Sequence, residues 1–339
     1  MAMKWYEQNG SEGDVVISTR IRLARNLRQF PFPSSMSDTQ KQQANELIRA
    51  AVEDMSGQIG GLSYTDMTTV SQREALSMME RHLISPEFAS GTVGRGLLMT
   101  ADESISIMLQ EEDHLRMQVL CPGLQLDAAY QMADRIDTAL DERLHFAFDE
   151  RLGYLTQCPT NLGTGMRASI MLHLPALQSR GAVEQLSRTV SKLGLTIRGM
   201  YGEGSQSQGA IYQLSNQITL GISETAAVEN LRSIAVQIIR EERAAREEFR
   251  SDPQFEDQLY RSIGLLSNVR ILSGKEFMKL ISVVRMGVAM KMIDTIGLDT
   301  INALICRVQP ATLMVSADKE LDPAERDSLR ATMVRECLK

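Results

Sequence analysis

Arginine, carboxylate and glycine recur together in four short stretches of this chain. In Ser18-Thr19-Arg20-Ile21-Arg22, arginine alternates with an apolar residue, so a strand would point Arg20 and Arg22 to one face. An edge strand carrying alternating charge has the same pattern. Gln110-Glu111-Glu112-Asp113-His114-Leu115-Arg116 sets three consecutive carboxylates before an arginine. In a solvated turn these only repel one another; partly buried, they raise a pKa or capture a cation. Cys158-Pro159-Thr160-Asn161-Leu162-Gly163-Thr164-Gly165-Met166-Arg167 is rich in small residues, and such a backbone can approach a ligand closely before presenting Arg167. Arg198-Gly199-Met200-Tyr201-Gly202-Glu203-Gly204 combines the same three residue types again. Guanidinium forks match oxyanions bidentately, and carboxylates hold cations or take protons.

Common nucleotide motifs do not account for these stretches. Gly204 to Gly209 has the spacing of a phosphate-binding loop, but Ala210 stands where that loop requires lysine. Gly91-x-x-Gly94-x-Gly96 is not a dinucleotide fingerprint, and the HRD and DFG segments of eukaryotic-type kinases are missing.

The elements that must position these residues follow from periodicity. Ser37-x-x-Gln40 predicts a capping box, followed by Leu47, Ile48, Ala51, Val52 and Met55 at helical spacing, with Gly57 as the stop. Ile105, Ile107 and Leu109 alternate, as do Leu115, Met117 and Val119, which predicts a hairpin around the carboxylates. Ile170, Leu172 and Leu174 form another alternating run, and Leu195–Gly199 and Ala210–Ser215 read as strands either side of a glycine-rich loop. The short connections favour antiparallel pairing. From Ser223 one helical stripe leads into Glu241-Glu242-Arg243 and Arg246-Glu247-Glu248, expected to form a solvated helix face. Beyond Asp252-Pro253 the periodicity is helical throughout, which places a boundary near residue 245.

With 36 Lys and Arg against 43 Asp and Glu, the net charge is −7, and only 5% of residues are aromatic. Broad nucleic-acid binding is not expected from such a balance. Cys121, Cys158, Cys306 and Cys337 are scattered without a CxxC, so neither a structural zinc nor a disulfide framework is expected. Apolar runs are too short to span a bilayer, and Met1–Gly10 carries no export signal, so a cytoplasmic protein that binds neither membrane nor nucleic acid is expected.

STRIR, EEDHLR, CPTNLGTG…R and RGxxGE, in this order, resemble the catalytic domain of the phosphagen (guanidino) kinases. The resemblance covers roughly residues 14–244. It implies an α+β fold in which residues 1–245 form a largely antiparallel sheet flanked by helices, followed by a small all-helical domain at 246–339. It also implies ATP with Mg²⁺, the phosphates being gripped by Arg20, Arg22, Arg116, Arg167 and Arg198. The implied nucleotide site takes in Ser18, Thr19 and Ile21, then Ala168, Ser169, Ile170 and Met171, then Gly199, Met200, Tyr201, Gly202 and Glu203. His82 falls where the family has an adenine-side histidine. Glu112 is the implied base that deprotonates the guanidinium acceptor, with Glu203 holding its other nitrogen. Cys158 matches the reactive-site cysteine, and a thiol beside several arginines is expected to oxidise readily. No dedicated metal ligands are implied; phosphates and water would supply most of the Mg²⁺ shell.

Within the family the chain resembles the bacterial branch that phosphorylates arginine side chains in other proteins. Few residues precede Ser18, whereas enzymes for free guanidino substrates have a separate helical domain there. An open acceptor site suits protein substrates with accessible arginines. Arg326-Asp327-Ser328-Leu329-Arg330-Ala331 resembles the RDxxRA phosphoarginine-binding motif of that branch, which implies an allosteric site at Arg326, Asp327, Arg330 and Ala331. The resemblance further implies a homodimer, an activating adaptor protein and delivery of marked proteins to a Clp-type protease. The alternatives are a kinase for a free guanidino metabolite and a non-catalytic phosphoarginine-binding adaptor.

Overall fold

Strand β1 (Val16–Arg25) runs through the middle of a sheet in which every pairing is antiparallel. The computed structural model describes residues 2–55, 61–91, 93–200 and 207–338. The other strands are β2 (Leu62–Asp66), β3 (Gly96–Thr100), β4 (Ile105–Leu109), β5 (Leu115–Pro122), β6 (Phe148–Asp149), β7 (Gly153–Tyr154), β8 (Met166–His173), β9 (Leu195–Gly199) and β10 (Ile211–Asn216). Eight of them form one sheet in the order β2-β3-β4-β5-β1-β8-β10-β9, and β6 and β7 make a separate ribbon. The helices are α1 (Asp38–Asp54), α2 (Gln72–Glu80), α3 (Pro86–Ala89), α4 (Leu126–Leu144), α5 (Pro175–Ser179), α6 (Val183–Lys192) and α7 (Glu224–Glu247). They are followed by α8 (Pro253–Asn268), α9 (Gly274–Ala289), α10 (Leu298–Arg307), α11 (Pro310–Ser316) and α12 (Pro323–Cys337).

The period-two pattern divides the sheet into two chemically distinct faces. Ile21, Leu23, Ile107, Leu109, Met117, Ala168, Ile170 and Leu214 are buried in one core with Ala133, Ile136 and Leu140 of α4 and Leu231, Ala235 and Ile238 of α7. Their alternates include Arg20, Arg22, Arg116, Gln118, Arg167, Ser169, Arg198 and Gln213, which face the other way. A one-residue slip would bury the arginines and expose the core, so the hydrophobic pattern fixes the register and with it the arginine face. The capping box forms as expected, with Ser37 accepting from the Gln40 amide at the head of α1. Gly57 lies outside the described residues.

The charged end of α7 corrects the expectation of a solvated face. Glu241, Arg243 and Glu247 are exposed, but Glu242 and Arg246 are buried and pair at 2.7 Å. They lie four residues apart on the inward side, where Glu242 also accepts the Ala176 and Leu177 amides at 3.1 and 3.0 Å, capping α5. Arg246 donates to the carbonyls of Asp14 and His173, both at 3.0 Å. Arg285 of α9, fully buried, donates to the carbonyls of Gly13 and Asp14 at 2.8 and 3.0 Å. Burial and then the nearby Arg246 charge pull its pKa down to about 9.

The C-terminal helices share both main cores with the sheet. Phe255, Met286 and Met290 join the core beneath α4 and α7. Met171, Met200 and Ile211 join Phe277, Ile281, Leu304 and Val334 in a second one. Glu80, at the end of α2, accepts the amides of Ala311 and Thr312 at 2.9 and 2.8 Å. A carboxylate from the sheet-bearing part thus satisfies two of the orphan donors at the start of α11.

Candidate functional site

The antiparallel register brings arginines from four strands onto one wall. Arg22 stands directly opposite Arg167, and Arg20 opposite Ser169. Arg116 pairs with Ala24, one step diagonally from Arg22, and Arg198 pairs with Gln213. Arg20, Arg22, Arg116, Arg167 and Arg198 line a cavity of about 280 Å³ together with Met79, His82, Ser85, Gln118, Met200 and Gln213. A smaller cavity beside it is lined by Ser18, Arg20, His82, Met171 and Gln213.

The electrostatics of this wall point to a polyanionic ligand. Burial, then the charges of Arg116 and Arg167, pull the Arg20 pKa down to about 10. Arg22 is held well below its ordinary value by burial and by Arg20, Arg116 and Arg167. Among the described residues, its buried Nε has no hydrogen-bond partner. Burial opposes the charge of Arg116 too, but Glu111, followed by Glu112 and Asp113, outweighs it and holds that guanidinium above its ordinary value. Clustered like charges are unfavourable until an anion arrives, and preorganised donors of this kind are what a phosphate chain can use.

The three consecutive carboxylates have three different environments. Glu111 accepts Arg116 Nη1 on both oxygens, at 2.7 and 2.6 Å. Asp113 is buried and accepts Asn26 Nδ2 at 2.6 Å and the Gln157 amide at 2.8 Å, which ties the loop leading to Cys158 to the hairpin. Glu112, between them, is half-buried and has no hydrogen-bond partner among the described residues. His114 is structural: its Nδ1 accepts the Leu27 amide at 3.0 Å, and its Nε2–H donates to the Pro31 carbonyl at 2.8 Å. Gln110 has φ +60°, a left-handed conformation that asparagine tolerates better than most residues.

Other expected site residues divide by the direction of their side chains. Thr19, Ile21, Ala168 and Ile170 alternate with the cavity-facing residues. The Thr19 hydroxyl donates to the Gly123 carbonyl at 2.7 Å, while Ile21, Ala168 and Ile170 are core. Cys158 is half-buried, its Sγ 3.0 Å from Thr160 Oγ1. Gly163 and Gly165 serve the protein's own packing: a Cβ would meet the carbonyl oxygens of Thr219 at 2.2 Å and Ala24 at 2.7 Å, respectively. Gly199 ends β9, and Met200 lines the cavity; Tyr201, Gly202 and Glu203 lie outside the described residues.

His82 is buried with φ +63°, its ring centroid 6.4 Å from that of Trp5. Burial, then the Arg20 charge, takes its pKa down to about 3. Gln118 Nε2 donates to the His82 carbonyl at 2.9 Å and to Ser106 Oγ at 2.7 Å, holding this turn against the sheet. Sequence reasoning missed Gln118, Ser85 and Gln213, and gave Glu111 no role apart from its place in the carboxylate triplet. Gln213 accepts from Arg20 Nη2 at 2.9 Å; its face-mate relation to Arg198 was available once β9 and β10 were paired.

Burial makes three histidines sensitive to acid. His82 and His114 are lowered to about 3 and about 4, and His173 falls well below its ordinary value, burial being the first cause in each. A depressed histidine adds stability that is complete above the unfolded pKa of about 6.5 and lost as pH falls toward the folded value. The urea midpoint is therefore expected to drop steadily between pH 7 and pH 4.5, with an uptake on unfolding approaching three protons from these groups. A flat midpoint across that window would refute the buried neutral assignments.

Arg330 of α12 is buried, donating from Nε to the Val308 carbonyl at 3.0 Å and from Nη1 to the Leu272 carbonyl at 2.8 Å and Asp327 at 2.5 Å. Gly274, at the start of α9, lies against its Nη2. Arg326, one turn earlier, is half-exposed, and Ala331 is core. The two arginines are therefore not a freely exposed pair. A cavity of about 920 Å³ reaches from Arg330 past Lys275, Phe277 and Gln309 to Met79 and Glu80. Met79 lines both this cavity and the arginine cavity.

Residues 43–245 match the ATP:guanido phosphotransferase C-terminal catalytic domain, and residues 252–339 match the protein-arginine kinase McsB C-terminal domain. A protein-arginine kinase of Moorella thermoacetica is 46% identical over 339 residues, covering 99% of this chain and 97% of that one. One from Pelotomaculum thermopropionicum is 42% identical over 335 residues, covering 98% and 94%. Among solved structures, a lombricine kinase superposes with a TM-score of 0.62 at 26% identity, covering 72% of this chain and 71% of that one. The duplicated taurocyamine kinase of Schistosoma mansoni with bound transition-state analogue components gives a TM-score of 0.64 at 27% identity, covering 72% and 36%.

Proposed function

This chain belongs to the ATP:guanido phosphotransferase family, in its protein-arginine kinase branch, and we propose that the arginine wall receives the phosphates of ATP while Glu112 deprotonates the acceptor. The reaction moves the γ-phosphoryl group of ATP to an arginine side chain of a protein: an N–P bond forms, the bond to ADP breaks, and the guanidinium gives up a proton. The convergence of arginines from β1, β5, β8 and β9 beside the Glu112 hairpin carries this reading. Fixed guanidinium groups stabilise charge on the transferring group without having to reorganise at the moment of reaction. Mg²⁺ would neutralise further phosphate charge, arriving with the nucleotide and held largely by phosphate oxygens and water. Glu203 is proposed to hold the other guanidinium nitrogen, Cys158 to border the acceptor, and His82 and Met171 the base side.

The finer reading has two units, residues 1–245 and 246–339, with phosphoarginine bound at Arg326, Asp327, Arg330 and Ala331. The cap from Glu80 to α11 and the wall shared through Met79 support a regulatory link to the nucleotide cavity. A homodimer, an activating adaptor, a Clp-type protease receiving the marked proteins and a cytoplasmic setting complete the proposal. No helix among the described residues is long and apolar enough to cross a membrane.

The test is incubation with Mg-ATP and either free L-arginine or an unfolded arginine-rich protein, with phosphosites mapped without acid. Phosphate on protein arginine is the expected result; phosphate on free arginine alone would favour the metabolite kinase. A second arm titrates phosphoarginine into wild type and Arg326→Ala, a substitution that leaves the buried contacts of Arg330 intact. A roughly tenfold or greater loss of affinity is expected, and equal affinity would remove Arg326 from the site.

A further inference from the structure

We propose that Ser85 is a positioning residue for phosphoryl transfer, acting through Glu111 on Arg116. The proposal rests on the arginine cavity being the nucleotide site. The Ser85 hydroxyl donates to Glu111 Oε1 at 2.5 Å, and the same carboxylate holds Arg116 Nη1 with both oxygens. The Glu111 side chain is 3% exposed, so its few contacts define where it points. Arg116 repels Arg20 and Arg22 across the wall, and Glu111 supplies the opposing charge that holds its guanidinium in place. A shift of roughly 1 Å in such a group can cost about a hundredfold in rate.

The obvious competing role for Ser85 is structural, since its oxygen also accepts the Phe88 amide at 3.0 Å and caps α3. That short helix is secured independently. Arg95 Nη1 donates to the carbonyls of Glu87, Phe88 and Gly91 at 2.7 to 2.9 Å, and Phe88 is fully buried. The two roles also require different chemistry. Capping needs only an acceptor, whereas orienting Glu111 needs a donor. Aspartate caps a helix as well as serine does, yet it cannot donate when ionised and it repels Glu111. Threonine can do both.

The experiment compares Ser85→Thr, Ser85→Asp and Ser85→Ala in the full chain, with melting curves and steady-state kinetics on Mg-ATP and a protein acceptor. Ser85→Thr is expected within about twofold of wild type. Ser85→Asp is expected to lose about a hundredfold in kcat and Ser85→Ala about tenfold, with KM for ATP changed less than threefold because the remaining arginines still hold the ground state. Equal activity of the Asp and Thr variants would reduce Ser85 to a cap and overturn the proposal. Should the Asp variant not fold, Ser85→Ala combined with Glu111→Gln decides. If Ser85 acts through Glu111, the double variant is no slower than Glu111→Gln alone; independent, multiplying losses would overturn it. Arg22→Met is the control: unchanged use of ATP by that variant would remove the nucleotide site itself, and this proposal with it.

Discussion

Glu112→Gln is expected to lower kcat by about 10²- to 10⁴-fold, the usual worth of a positioned general base, while nucleotide affinity stays within about twofold. The acceptor explains the size of the effect. A free guanidinium loses its proton only far above neutral pH, so exposing its nitrogen lone pair at pH 7 costs about 8 to 9 kcal/mol. Part of that cost is avoided if the proton leaves to a carboxylate as attack proceeds. Glutamine keeps the shape and loses the base. The structure narrows the choice within the carboxylate triplet, because Glu111 is committed to Arg116 and Ser85, and Asp113 to Asn26 and Gln157. Rapid-quench turnover beside equilibrium nucleotide binding separates the two quantities. Turnover within tenfold of wild type would move the base elsewhere.

Arg22→Met is expected to act in opposite directions on activity and on stability. Removing one preorganised donor to a developing charge typically costs about 10²- to 10³-fold, read here as kcat/KM for ATP. The unliganded protein should nevertheless melt higher. Burial and the charges of Arg20, Arg116 and Arg167 hold Arg22 well below its ordinary pKa, so the folded state disfavours the charged form that the unfolded chain carries freely. At any pH below the unfolded value this charge opposes folding, and the penalty is relieved only as pH rises through the folded value toward the unfolded one. Methionine fills the stem volume without the charge. A gain of about 1 kcal/mol corresponds to a rise in Tm of roughly 1–2 °C at this size, and the further rise on adding Mg-ATP should shrink. Differential scanning calorimetry with and without nucleotide measures both. A variant that melts lower than wild type in the absence of ligand would show that Arg22 is a structural cation.

The chain's periodicity was enough for the strands that matter. Alternation at Ser18–Arg22, Ile105–Leu109 and Leu115–Val119 predicts both strand and facing direction, because the side-chain period of a strand is fixed at two. Arg20 and Arg22 were therefore legible as one face, while Arg116 joined them only through the family resemblance. Local types also located the carboxylate triplet, the glycine-rich loops and the capping box of α1. Which carboxylate does what was not legible, since Glu111, Glu112 and Asp113 are neighbours with equal intrinsic chemistry. Their partners, Ser85, Arg116, Asn26 and Gln157, come from distant parts of the chain. The same reason hid the inward turn of Glu242 and Arg246 and the deep seating of Arg330. A charged residue looks solvated in sequence unless the element packed over it is known, and burial with a paired charge is decided by that element alone. Sequence by itself determined the residue types, their local spacing and, in the alternating strands, the face each would occupy. Tertiary structure decided which of them meet, because hydrogen bonds and desolvation act through distance in space, and separation along the chain says nothing about that distance.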